Sequence, residues 1–196
     1  LELDVLPSMA RCLSVIGVAR EVAALTGEEL RYPEVPRVWP LPDSRTERVR
    51  VHIEDFSLCA RYAAVVIEDV SVGPSPPWMQ IRLQLAGMRP INNLVDITNY
   101  VMWETGHPCH VFDFDKVSPQ MTFREAKRGE KITTLDNQTH QLLGGEVVIA
   151  NSQGEIIDLP SIMGTANSIV TTNTQSALLF VDDVIAHKVR TASMSH

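Results

Sequence analysis

The sequence predicts an α+β fold with mixed or antiparallel sheets, a few helices and a layered β/β/α arrangement. Three observations carry this. Short apolar alternations recur from Val49 onward, two helical periods stand among them, and strands and helices come in blocks without βαβ alternation.

The elements follow in order. Leu1, Leu3 and Val5 alternate with Glu2 and Asp4, which predicts a short half-buried strand. Cys12, Val15, Ile16, Ala19, Val22 and Ala23 keep helical spacing and Gly27 stands at the C-cap, so a helix is expected over about 9–26. From Tyr32 to Arg48 there are four prolines and no apolar period, so residues 32–48 read as an extended linker. The opening strand and helix have little to pack on. Residues 1–31 are therefore expected to belong to a neighbouring, mostly absent domain, and the start at Leu1 fits a piece of something longer.

The main module is expected over 49–196. Val49, Val51 and Ile53 form one strand and Tyr62 to Val72 a second. Ser75-Pro76-Pro77 predicts a helix start with serine as cap; Trp78, Ile81 and Leu85 are its expected buried face, and Gly87 its end. A second helix is expected from Asn92 to Thr105, stopped by Gly106. Strands follow at Met121–Ala126, Lys131–Leu135, Val147–Ala150, Glu155–Leu159 and Ala177–Val181, with turns at Asp136-Asn137 and Gly144-Gly145.

Bulk properties narrow the function. A hydrophobic fraction of 44% with 21% charged residues is globular composition. No run approaches the roughly 18 apolar residues that span a bilayer, and no charged-then-apolar leader opens the chain. Cys12, Cys59 and Cys109 are an odd, scattered set, which points to a reducing, cytoplasmic setting rather than a disulfide framework. The net charge of −7 argues that any RNA partner is gripped mostly by other parts, though a local basic patch is compatible with it. No Gly-rich phosphate loop or dinucleotide fingerprint is present. His107-Pro108-Cys109-His110 has no second ligand cluster, so no metal site is expected. Cys109 reads as a small buried hydrophobe rather than a nucleophile.

The most informative run is Arg89-Pro90-Ile91-Asn92-Asn93-Leu94-Val95-Asp96-Ile97-Thr98-Asn99-Tyr100-Val101-Met102, continuing through Glu104, Gly106, Pro108, His110, Phe112-Asp113 and Asp115-Lys116. It resembles the signature of the editing module of the bacterial-type phenylalanyl-tRNA synthetase β subunit. Cys12-Leu13-Ser14-Val15, Ala19-Arg20-Glu21, Gly129-Glu130, Thr134-Leu135-Asp136, Val148-Ile149-Ala150 and Ile162-Met163-Gly164 extend the likeness over nearly the whole chain. The resemblance implies a heterotetramer with the α subunit and a second αβ pair. That enzyme charges tRNA(Phe) using ATP and magnesium, with the synthetic site in the α subunit and no cofactor in this piece. It also implies that the matching module hydrolyses tyrosyl ester wrongly placed on tRNA(Phe). An apolar pocket rejects an added hydroxyl only weakly, and a second site built to hydrogen-bond the phenol supplies the rest of the discrimination.

By position, Asn99 and His110 match the family's pocket residues. His110 is implied to orient the attacking water or the terminal ribose; the residues alone fit equally a loop histidine capping a carbonyl. Asn99 alone fits a helix-surface or capping asparagine, while Asn92, Asn93 and Asp96 read as structural. The pattern departs at three places. Pro160, Ser161 and Thr165 stand in a pocket wall where the family carries small residues and glycines that allow close approach and positive φ. Phe180 stands where the family has the glutamate that reads the phenol. If its strand extends, Asp182 shares the face of Phe180 and Asp183 points away. Then Asp182 reads the phenol, or the site no longer edits, or the two aspartates close the strand in a solvated turn. Last, the family's later Thr-x-Ala pocket residues would lie past His196, so the pocket here is expected to be incomplete. The alternative is a non-catalytic structural or tRNA-positioning module. An open pocket walled by Asn99, His110 and residues 160–165 would favour editing; Phe180 filling that space would favour the alternative.

Overall fold

In a computed structural model, residues 2–32, 49–117 and 119–195 are described. The chain is α+β, and contacts group it into two units: Leu1–Arg45 with Ser75–Cys109, and Thr46–Pro74 with His110–His196. The two helices that the sequence grouped with the module at 49–196 thus fall with the N-terminal helix. Beyond Tyr32, the proline-rich segment lies outside the described residues.

In the first unit, a 3-10 helix at Pro7–Cys12 precedes α1, Val15–Thr26. One continuous helix was expected. Ser14 breaks it: its extended backbone lets the side-chain oxygen accept from the Gly17 amide at 3.0 Å, which caps a new helix. Gly27 closes α1 with φ of 75°, the left-handed conformation a C-cap needs. The strand expected at the N-terminus is corrected, since none of residues 2–6 is in a strand. Apolar alternation without a neighbouring strand has no ladder to hold it.

Helices α2 (Pro77–Leu85) and α3 (Asn93–Thr105) complete the unit. The face expected for α2 is also corrected. Trp78, Ile81 and Leu85 are 50%, 56% and 83% exposed, while Met79 and Leu83 are buried. Trp78 instead meets Tyr100 of α3 edge-on at 5.5 Å, with the Arg82 guanidinium over its ring. Ser75 does not cap α2; Pro76 holds that position, and the Ser75 hydroxyl donates to the carboxylate of Asp96. The other oxygen of Asp96 accepts from the Ile91 amide at 2.8 Å. Asn92 caps α3 by accepting from Val95 N at 3.0 Å.

The second unit holds the strands. Those of the five-stranded sheet are β1 (Arg50–Ile53), β4 (Gln120–Glu125), β7 (Val147–Asn151), β8 (Ile156–Leu159) and β9 (Met163–Gly164), in that order. β1 pairs parallel with β4, and the other pairs are antiparallel. A three-stranded antiparallel sheet has the order β2 (Cys59–Ile67), β10 (Ala177–Val184), β3 (His110–Asp113). β5 (Lys131–Thr133) and β6 (Thr139–Gln141) make a hairpin. Short α4 (Phe114–Val117) follows β3, and α5 (Ala186–Ser193) follows β10.

The main core joins the two larger sheets. Met121, Phe123, Ile149 and Ile157 from one meet Cys59, Phe112, Leu178 and Phe180 from the other. A smaller cluster of Ile132, Leu142, Val148, Ile156 and Leu159 joins the hairpin to the five-stranded sheet. This burial is the main force holding the unit together. Among the described residues, no helix is long and apolar enough to cross a membrane.

Candidate functional site

The site is built around β10. Its expected end at Val181 is passed, and the strand runs on to Val184. Alternation puts Leu178, Phe180 and Asp182 on one face, all buried, and leaves Asp183 exposed on the other. Register extends that face to both neighbours. Phe180 lies opposite His110 and Ala64, Leu178 opposite Phe112 and Val66, and Asp182 opposite Tyr62.

Phe180 is 3% exposed. Its ring stacks on Phe112 at 4.9 Å and on Tyr62 at 5.8 Å, and His110 stands edge-on to it at 5.8 Å. Tyr62 in turn meets Phe123 edge-on at 5.4 Å, tying the aromatic row to the opposite sheet. A residue weighed as a substrate contact is therefore part of the core.

His110 opens β3 and is not a loop residue. Its ring meets Phe112 edge-on at 4.7 Å. Close to the ring runs Gly164 of β9. A Cβ there would lie 2.8 Å from His110 Cε1 and 3.0 Å from Nε2, so only glycine leaves room for the ring. Burial among these groups lowers the His110 pKa to about 4. The imidazole is thus neutral near pH 7. It can orient a hydroxyl or a water, but it is a weak general base.

Of the expected pocket wall, Pro160 and Ser161 follow β8 and Thr165 follows β9. Pro160 is buried, and Ser161 is exposed with φ of 60°. The serine holds a left-handed turn that glycine would adopt without steric cost. Thr165 is 1% exposed; its hydroxyl donates to Asn167 Oδ1 at 2.5 Å. Thr165 and Asn167 also border a cleft of about 410 Å³ lined in part by Glu130, Lys131, Thr133 and Glu155. His110 and Phe180 are not among its lining residues.

Asp182 is 9% exposed, and Asp158 of β8 is a second buried carboxyl at 3%. Burial first, and the charge of Asp182 second, push the Asp158 carboxyl well above the usual carboxylate range. Burial and Asp182 also raise the Tyr62 phenol. Sequence reading did not single out Asp158. Its signal was an aspartate inside the apolar run Ile156-Ile157-Asp158-Leu159.

Asn99 belongs to the first unit, half-buried on α3. His110, Pro160, Ser161, Thr165, Phe180 and Asp182 all fall in the second unit. Cys109, in the first unit, donates its thiol to the Thr98 carbonyl at 3.5 Å, and burial raises its pKa, which makes it a poor nucleophile. Among the described residues, no group of three or more His, Cys, Asp or Glu side chains is placed to hold a metal ion.

Comparison with known proteins adds to this geometry. Residues 58–196 match the family model described as the B3/4 domain. The phenylalanine–tRNA ligase beta subunit of Carboxydothermus hydrogenoformans is 47% identical over 182 residues, covering 91% of this chain and 22% of that protein. The corresponding subunit of Fusobacterium nucleatum is 39% identical over 192 residues, 98% of this chain and 24% of that one. The chain thus spans about a quarter or less of the length of these curated relatives. Among solved structures, an N-terminal fragment of the phenylalanyl-tRNA synthetase beta-subunit from Pyrococcus horikoshii superposes with a TM-score of 0.52 at 17% identity, covering 95% of this chain and 58% of that one. At that identity the likeness speaks for the fold alone.

Proposed function

The chain belongs to the B3/4 domain family, and on that premise we propose that it serves as a non-catalytic module of a phenylalanine–tRNA ligase β subunit. In this reading the whole enzyme is a cytoplasmic heterotetramer with an α subunit that charges tRNA(Phe) using ATP and magnesium. None of those cofactors binds to this piece, which helps to position the tRNA. Likeness to β subunits along more than nine-tenths of the chain supports the assignment.

One observation carries the non-catalytic part. The position that would need a hydrogen-bond acceptor for a phenol holds Phe180, 3% exposed and stacked between Phe112 and Tyr62. An aromatic core residue accepts no hydroxyl, and removing it would open a cavity in the core.

A second reading is hydrolysis of mischarged Tyr-tRNA(Phe). What favours it is the neutral His110 against Gly164, with Asp182 on the face of Phe180. Here Asp182 would read the phenol, His110 would place the water or ribose, and Pro160, Ser161 and Thr165 would form the wall. The assignment is tested by joining the full-length β subunit with its α subunit and measuring charging of tRNA(Phe). ATP-dependent phenylalanylation that requires both subunits is expected; charging by the α subunit at an unchanged rate without this one would overturn it.

A further inference from the structure

The cations of this acidic chain are not spread evenly. From Arg124 to Lys131 four basic residues stand against two acidic ones, in a chain whose net charge is −7. Lys127 and Arg128 lie at the tip of this segment. Their turn is closed by the Glu130 amide, which donates to the Lys127 carbonyl at 3.1 Å. Both residues are exposed.

The turn is fixed against the loop at 143–145. The Gly145 amide donates to the Ala126 carbonyl at 3.0 Å. A Cβ on Gly144 would lie 3.1 Å from the Arg128 nitrogen and 3.3 Å from its Cα, so glycine lets the two loops close up. α5 joins them, because Lys188 Nζ donates to the Gly145 carbonyl at 3.1 Å and to the Glu125 carboxylate at 2.5 Å. The first turn of α5 carries His187 and Lys188 and no acidic residue. Two basic stretches far apart in sequence thus meet on one surface of the second unit.

The carboxylates of this surface are already engaged. Glu130 accepts from two nitrogens of Arg124, both at 2.9 Å, and from the Lys127 amide at 2.6 Å. Arg124 is the main influence holding the Glu130 carboxyl low, and the charge of Lys127 is the least. Glu146 accepts from the Leu143 and Gly144 amides at 2.7 Å. Glu125 is met by Lys188. Lys131 lines the cleft that Glu155 also borders. The positive field at the turn is therefore carried by Lys127 and Arg128, in a chain that is acidic as a whole. A polyanion is repelled by the whole and drawn to this turn.

We propose that Lys127 and Arg128, backed by Lys188, form a contact for the phosphate backbone of RNA. This rests on reading the chain as a module of a tRNA ligase, and it names where on that module the tRNA is held. Two exposed cations on a short fixed turn meet charge rather than base edges, so the contact positions RNA without selecting its sequence. Each phosphate neutralised releases counterions, which gives the contact a readable salt dependence.

Binding of tRNA(Phe) to the ligase rebuilt from full-length β and α subunits, across a salt series, tests the contact. With Lys127→Gln and Arg128→Gln together, the slope of log affinity against log salt should shrink by about 1.4–1.8, roughly 0.7–0.9 for each phosphate lost. At 0.1 M salt that is a loss of roughly 25- to 60-fold, vanishing toward 1 M. In charging, KM for tRNA should rise while kcat is kept. The charge-keeping exchange of Lys127→Arg with Arg128→Lys should keep the full slope, as should Arg61→Gln on β2. An unchanged slope in the double glutamine variant, with charging intact, would overturn the phosphate contact alone. An unchanged slope with loss of the α subunit would overturn it in favour of a protein interface. No charging by the unaltered enzyme would strike the ligase assignment, and the contact with it.

Discussion

Replacing Phe180 by alanine probes the load that the aromatic row carries. The ring is 3% exposed and touches both its strand neighbours, stacking on Phe112 at 4.9 Å and on Tyr62 at 5.8 Å. Truncating a buried phenylalanine costs about 3–5 kcal/mol, through lost transfer energy and the cavity left behind. Within that total, aromatic pairing accounts for about 0.5–1.5 kcal/mol per pair. Close-packed sheets on either side limit collapse into the gap, which favours the upper half of the range. With a urea slope of about 2 kcal/mol per molar, a loss in that upper half should lower the midpoint by roughly 2–2.5 M. The matched control is Val65→Ala, on the outward face of β2 at 40% exposure, with an expected cost below about 1 kcal/mol. A Phe180→Ala cost no larger than that of Val65→Ala would refute the view that Phe180 belongs to the core.

Two further changes test local geometry. Gly164→Ala places a Cβ 2.8 Å from His110 Cε1 and 3.2 Å from Leu135 Cδ1, and should cost about 1–3 kcal/mol by overpacking. Much of that loss should return in the double variant with His110→Ala, read by urea unfolding; an additive double variant would mean that the ring is not what the methyl meets. Asp96→Ala strips partners from the Ser75 hydroxyl and the Ile91 amide in the first unit, an expected loss of about 2–3 kcal/mol. Asp96→Asn, which keeps an acceptor, should lose less in the same thermal unfolding experiment.

Elements with strong local signals were legible in the sequence. α3 was readable at both ends, because Asn92 and Gly106 are caps whose chemistry is local. The strands β1, β4, β7, β8 and β10 stood out by alternation or apolar runs. What escaped depended on partners distant in sequence. β3 is short, and its residues 110–113 become a strand because β10 pairs with them. β9 exists by pairing with β8, and neither β6 nor α5 was anticipated. The buried face of α2 was misread because burial depends on what lies opposite, and Met79 and Leu83 won over larger neighbours.

The site was legible in part for the same reason. That Asp182 would share the face of Phe180 followed from strand geometry alone, and the strand does extend that far. That Phe180 would be sandwiched between Phe112 and Tyr62 depended on the order β2-β10-β3, which no local pattern encodes. The burial of Asp158 on β8 depends on the sheet facing it and was likewise invisible. Asn99 and His110 are 11 positions apart in the sequence yet fall in different compact units.

The central claim is that the aromatic row fills the place where a phenol would be read. Its most direct test is hydrolysis of Tyr-tRNA(Phe) by the reconstituted ligase, with unaltered β subunit, His110→Ala and Asp182→Ala compared. The account predicts that tyrosyl ester is lost at the uncatalysed rate in all three, while charging with phenylalanine persists in the unaltered enzyme. Rapid hydrolysis by the unaltered enzyme that disappears in either variant would contradict it.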